Sequence, residues 1–332
     1  MKNDIVSPGS GGAGGRRGIG AAAGNACIFL AALFWGVNVP VTKALIPKWM
    51  SADDVVAVRL MGGCVLFWLV SLFMRGGRIT GRCDWLRLCV GGVVGLFSFI
   101  YLFVTSLRYG SPIDISIIMT LPPMFVILMN VVFRHQRASL TEWAGVLVSF
   151  AGAVIVILGG RGGGHASDSL LGDLLAIAST VCYAFYLVVL EGPTQRYRPA
   201  TMLRWVFLFA SLPALFLLPG MRGMPILASA SAVPWLEIGF ILLCPTFIAY
   251  FLVQPAIRSI GSELVSIYQY LVPVVATVAA VLMKLDSLRW PQVLAMAVIV
   301  GGMVLTNVGK RRRAAKGGEC GFFRRVFRLL WE

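Results

Sequence analysis

The side chains able to do chemistry in this chain are polar residues set inside long apolar runs. Trp35, Asn38 and Lys43 lie around Pro40, and Arg59 sits early in the following run. Ser98, Tyr101 and Thr105 recur at the spacing of one helical face, as do Ser179, Tyr183 and Tyr186. Ser116, Thr120 and Asn130 flank Pro122 and Pro123; Tyr250 and Gln254 precede Pro255; Ser266, Tyr268, Gln269 and Tyr270 stand one turn before Pro273. Amides and phenols donate and accept hydrogen bonds, and aromatic faces stack on rings or hold cations. That is a chemistry of recognition. Bond-breaking machinery is not legible: there is no G-x-S-x-G, H-E-x-x-H or Walker sequence. His135 and His165 are the two histidines, and the seven cysteines form no C-x-x-C pair, so no catalytic residue, metal site or cofactor is expected. The glycine runs at 11–15 and 159–164 lack the flanking strand and helix of a phosphate cradle.

A polar group in hydrocarbon is costly unless it faces the protein interior, so each intramembrane polar residue is a site candidate. The expected substrate-binding set is Trp35, Asn38, Tyr101, Thr120, Tyr183, Tyr186, Tyr250, Tyr268 and Gln269. Structural roles compete with this assignment. Serines and threonines bond back to their own helix or permit close packing. Lys43, near a span end, can snorkel to the interface. Arg59 is the stronger charge anomaly, able to pair with Asp53 or Asp54 across the turn or to attract an anionic solute. Pro40, Pro123 and Pro273 are candidate hinges, since each removes a helical hydrogen bond and frees a carbonyl; a fixed packing kink is the alternative.

The elements that position these residues must be membrane helices. Of 332 residues, 58% are apolar and only 13% charged, with mean hydropathy +0.84. A soluble domain carries about 25% charged residues. The net charge of +15 does not indicate nucleic acid, because the basic residues sit in short loops and one tail. Reading for runs of about 20 apolar residues gives ten spans, near 24–46, 54–74, 85–107, 112–133, 140–159, 171–191, 201–219, 234–257, 262–283 and 291–308. The first run is too long for a cleaved leader and is read as a retained span. Ser111, Pro112 and Asp114, the SLTE of 139–142 and Pro291 supply helix-start chemistry. With the N-terminus inside, 21 of the 29 Lys and Arg fall on the cytoplasmic face, so both termini are expected in the cytoplasm of a multi-pass cytoplasmic-membrane protein.

The chain also matches itself. Residues 106–128 align with 256–278 at a shift of 150, pairing Arg108 with Arg258, Ser116 with Ser266, Leu121 with Leu271 and Pro123 with Pro273. Five spans per half is odd, so the halves are expected to be inverted in the membrane. The fold class expected is an all-α integral membrane protein of ten helices in two inverted five-helix repeats. Its parts are a disordered tail (1–20), a first repeat (21–159), a glycine-rich connection (160–170), a second repeat (171–308) and a basic amphipathic tail (309–332). In that tail KRRRAAK suits anionic headgroups, and GFFRRVFRLLWE has the spacing of an interfacial helix.

The LFWGVNVPVTKAL start, SPIDISIIMTLPPMFVILMN with AGVLVSFAGAVIVILG, and their counterparts IGSELVSIYQYLVPVVATVAAVL and MAVIVGGMVL resemble the drug/metabolite transporter superfamily, EamA type, over about residues 22–308. The resemblance implies a cavity between the halves built from the first, third, fourth, sixth, eighth and ninth spans. Where such proteins usually carry a Glu after the fourth and ninth spans, this chain has Gln136 and Asp286. The expected function is secondary transport, with export as the expected direction, of a small polar or amphipathic metabolite by alternating access. An uncharged, zwitterionic or cationic solute suits the aromatic and amide residues. Expected partners are that solute, membrane lipid and, as an assembly, a homodimer. A non-transporting scaffold or sensor acting through the basic tail, and a lipid-modifying membrane enzyme, are the alternatives.

Overall fold

The computed structural model describes residues 20–73, 77–134, 138–159, 166–229, 231–253 and 270–306, with 255, 256, 259, 268, 308, 309 and 312. Among them the chain is all helix and turn. Without water in an apolar layer, backbone groups must be satisfied within their own segment, which selects helices. In chain order these are α1 (Ala21–Leu45), α2 (Ala52–Phe73), α3 (Arg82–Tyr109), α4 (Pro112–Ile118), α5 (Pro122–Arg134), α6 (Leu140–Gly159), α7 (Ala166–Arg196), α8 (Pro199–Ala214), α9 (Val233–Val253), α10 (Leu271–Leu282) and α11 (Trp290–Thr306). Eight segments are long and apolar enough to cross a membrane, with α4 and α5 counted as one; α10 and α11 are shorter apolar helices. Phe73, Phe216, Leu282 and Trp290 are exposed on the outside, as suits a bundle whose solvent is lipid.

The expected helix starts form. Asp114 N–H donates to Ser111 Oγ (3.3 Å), and Ser139 and Glu142 close a capping box. Ser51 and Asp54 form a second such box that the sequence reading missed. α7 starts at Ala166, inside the expected glycine-rich connection. Most of both tails, with the expected interfacial helix, lies outside the described residues.

The prolines behave differently from three interior kinks. α1 runs unbroken through Pro40. The fourth span stops at Ile118, turns through Thr120 and Leu121 with tight bonds to Ile117 O and Ile118 O, and restarts on Pro122 and Pro123. Pro273 likewise falls in the first turn of α10, after a turn at Tyr270. At a helix start the missing N–H is one that would be unbonded anyway. The fourth span is therefore two helical pieces. A second irregularity recurs at nearly the same shift: α3 is π-helical over Gly91–Phe97, and α9 over Leu242–Ile248.

The packing follows the repeat. α1 packs on α10, and α5 on α7; α3 packs on α7, and α9 on α1; α3 packs on α8, and α9 on α2. α2 meets α8, and α4 meets α10. Exchanging the two halves turns this set of pairings into itself. α6 and α11 join it through glycines. A Cβ on Gly152 would lie 2.5 Å from Ile299 Cγ1, and one on Gly302 2.5 Å from Ser149 N. Those contacts also exchange under a shift of 150. Small residues allow such approach where lipid gives helices no hydrophobic drive to associate.

Gly301, beside that seam, has nothing within 4 Å of an added Cβ. Gly302→Ala should therefore destabilise the solubilised protein by about 1–3 kcal/mol. Gly301→Ala should be neutral or slightly stabilising. Paired melting curves in one detergent check this; equal melting temperatures for the two variants would contradict the seam.

Candidate functional site

The π-turn of α9 is where the bundle gathers polar groups. Pro245 has no N–H to give back to the helix, so the carbonyl of Ile241 is free to bond elsewhere. Thr246 Oγ1 donates to it at 2.8 Å. The same hydroxyl oxygen accepts from Arg59 Nε of α2, also at 2.8 Å and 187 residues away in sequence. One turn earlier in the site, Trp35 Nε1 of α1 donates to the Pro245 carbonyl at 3.2 Å. Arg59 and Thr246 are both buried. Three spans thus converge on one irregular turn.

Aromatic rings wall this point. Trp35 meets Tyr250 edge-on at 6.0 Å, and Tyr250 meets Phe207 edge-on at 5.7 Å. Phe67 lies between Phe207 (4.7 Å) and Phe247 (5.1 Å). Tyr183 and Tyr186 stack at 5.8 Å, with Phe99 4.7 Å from Tyr183. The Tyr250 phenol is within electrostatic range of Arg59, Tyr183 and Tyr186. Close backbone approach makes this possible: a Cβ on Gly95, in the π-turn of α3, would meet Tyr186 Cβ at 2.8 Å. The π-turn of each half thus seats an aromatic residue from the first span of the other half.

Of the expected site residues, Trp35, Tyr183, Tyr186, Tyr250 and Arg59 come together. Tyr268 packs with Trp35 on the cluster of Ile28, Ala31, Ala249 and Ala256. Asn38 is buried and its Oδ1 accepts from Thr42, so it is partly satisfied within α1. Tyr101 stacks on Phe97 at 5.8 Å and lies beside Asp53. Thr120 donates to Ile117 O, and Ser116 to Ile113 O, each within its own turn. Gln269, with Gln254 and Ser266, lies outside the described residues. The expected partners of Arg59 are corrected: Asp54 caps α2 and Asp53 faces Tyr101, while Arg59 reaches Thr246. Lys43 does not snorkel. Its Nζ donates to Leu107 O (2.6 Å) and Gly110 O (3.0 Å), neutralising carbonyls at the end of α3. Thr246, Phe207, Phe67 and the Pro245 carbonyl were missed. A proline in mid-span was the one signal available for them.

Polar contacts close both ends of the bundle. At one end Gln292 Nε2 donates to Asp114 Oδ1 at 2.8 Å, and Ser111 Oγ donates to Asp286, so the turn before α4 is tied to the approach to α11. Asp173 of α7 lies near Asp114, fully buried, with both carboxylate oxygens unpartnered among the described residues. At the other end Asp84 accepts from Arg196 Nη1 (3.0 Å) and the Tyr197 hydroxyl (2.9 Å).

Comparison with known proteins decides what kind of bundle this is. A family model for the EamA-like transporter family matches residues 22–158 and again residues 170–308. The chain belongs to the EamA-like transporter family. An uncharacterized transporter of Bacillus subtilis, YyaM, is 24% identical over 281 residues, 83% of this chain and 91% of that protein. The aromatic amino acid exporter YddG of Ancylobacter novellus is 26% identical over 67% of this chain and 76% of its own length. The inner membrane transporter YedA of Escherichia coli, also uncharacterized, is 23% identical over 87% and 92%. One solved crystal structure superposes with a TM-score of 0.59 at 22% identity, covering 88% of this chain and 98% of that one, which supports the fold. The resemblance read from the sequence therefore holds, over both EamA repeats of a multi-pass membrane protein.

The Asp114–Gln292 bond ties the two repeats across one end. Gln292→Leu leaves a buried carboxylate oxygen without its donor and should cost about 1–3 kcal/mol. Asp114→Asn keeps an acceptor for Gln292 and should cost less. Melting curves test the ranking; a larger loss in Asp114→Asn would contradict it.

Proposed function

We propose that this EamA-like protein is a secondary transporter that exports a small amphipathic metabolite by alternating access between its two repeats. The observation that carries the reading is the meeting of aromatic rings and one arginine where spans of both repeats converge on the π-turn of α9. Rings stack on a ring-bearing solute without specifying one compound, and an arginine repels cations. The solute class is accordingly neutral, zwitterionic or anionic, which removes the cationic solutes that composition alone allowed. YddG carries the name aromatic amino acid exporter, and a ring-bearing solute is in keeping with that.

Ten spans, inverted halves and cytoplasmic termini complete the proposal. Support comes from pairings that map onto themselves when the halves are exchanged and from the clustering of Lys and Arg in one set of loops. In such an arrangement each half can adopt the conformation of the other, opening the site to one side and then to the other. The broken fourth and ninth spans are the hinges, with Pro123 and Pro273 marking where each piece restarts. Asn38, Tyr101, Thr120, Tyr268 and Gln269 line the path. The basic tail holds anionic headgroups.

Proteoliposomes loaded with a panel of ring-bearing and aliphatic solutes test this by counterflow. The parent protein should exchange ring-bearing solutes faster than protein-free vesicles, and Gln269→Ala should slow that exchange by about tenfold, the value of one hydrogen bond. If no solute moves, the transport reading fails; if Gln269→Ala matches the parent, the assignment of Gln269 fails.

A further inference from the structure

Among the described residues Arg59 is a charge without a counter-ion. It is 3% exposed, its Nε is spent on Thr246, and its Nη1 is buried with no hydrogen-bond partner among the described residues. The ion pairs found among those residues are both made by Asp84, with Arg87 and Arg196. The acids nearest in sequence, Asp53 and Asp54, are engaged elsewhere. Instead Arg59 lies within electrostatic range of Tyr250, whose ring meets Trp35 and Phe207 edge-on. A buried, uncompensated cation costs several kcal/mol in a membrane bundle. Thr246 alone does not offset this, because a hydroxyl satisfies one N–H of five. A leucine or methionine would fill the place without that cost, so the position calls for what a guanidinium alone supplies: a planar fork of donors matched to an oxyanion.

We infer that Arg59 is the carboxylate-recognising residue of the transport site, its free Nη1 edge binding the acid group of a solute whose ring lies against Trp35, Tyr250 and Phe207. The inference rests on the transporter reading above and narrows it to aromatic or similarly ring-bearing carboxylates. Thr246 is a positioning residue. It holds Nε, and it is itself held by the carbonyl that Pro245 releases, so the fork is aimed by the π-turn. When α9 moves relative to α2, the aim moves with it, which links solute binding to the state of the bundle.

The probes are 3-phenylpropionate and its amide, which share ring and chain length and differ in charge. Binding is read by quenching of tryptophan fluorescence in detergent, and exchange by counterflow in proteoliposomes. The parent should favour the acid over the amide by about tenfold or more, as a charge-assisted bond exceeds a neutral one. Arg59→Gln should abolish that preference, bringing the acid down to the level of the amide or below it. Arg59→Lys, which keeps the charge but not the fork, should retain only part of it. Equal binding of acid and amide by the parent would overturn the inference without any variant being made. So would a preference that survives in Arg59→Gln or is undiminished in Arg59→Lys. If neither probe binds while other solutes exchange, the carboxylate class is wrong and the transporter reading stands. If nothing exchanges at all, both fall.

Discussion

A chain dissolved in lipid must satisfy its backbone hydrogen bonds within itself, and the architecture follows from where that requirement is not met. The eight membrane-long segments meet it over most of their length. Pro122 and Pro123, Pro273 and Pro245 do not. At the first the helix stops and restarts, at the second a helix begins after a turn at Tyr270, and at the third the helix widens into a π-turn whose released carbonyl is taken by Thr246. The same hydroxyl holds Arg59, and the neighbouring carbonyl holds Trp35. The proposed recognition site is thus assembled from the irregularities of otherwise regular helices.

The exchange symmetry of the packing gives those irregularities a mechanical meaning. α3 and α9 carry π-turns in corresponding places, and each seats a residue from the first span of the other half. Seams between corresponding helices, such as α6 with α11, are closed by glycines and small residues and leave little room to deform. Polar contacts at the two ends, Gln292 with Asp114 and Arg196 with Asp84, join the repeats through a few hydrogen bonds each. The proposed alternating access would use such seams, the divided fourth span and these end contacts.

Much of this was legible in the sequence because its causes are local or periodic. Span length, the caps at Ser111 and Ser139, and the duplication around Pro123 and Pro273 depend on composition, neighbours and spacing. The partner of Arg59 was not legible, since it lies 187 residues away and is a threonine with nothing to distinguish it from others. The π-turn of α3 left no mark either: GGVVGLF reads as ordinary apolar helix. Lys43 was misread because its acceptors, two carbonyls ending another helix, are invisible in a list of side chains. The buried state of Asp173 depends on the close approach of α7 at Gly172 to the turn at Gly110. Tertiary contact decides all of these.

The most direct measurement of alternating access is a pair of distances in the same protein in lipid nanodiscs, by pulsed electron spin resonance. One pair of spin labels would sit at Arg108 and Ser287, near the Asp114–Gln292 contact, and another at Arg82 and Arg198, near the Asp84–Arg196 contact. Alternating access predicts two distance populations for each pair, with addition of a transported solute lengthening one distance while shortening the other. A single population at both ends, unmoved by solute, or two ends that open together, would contradict it.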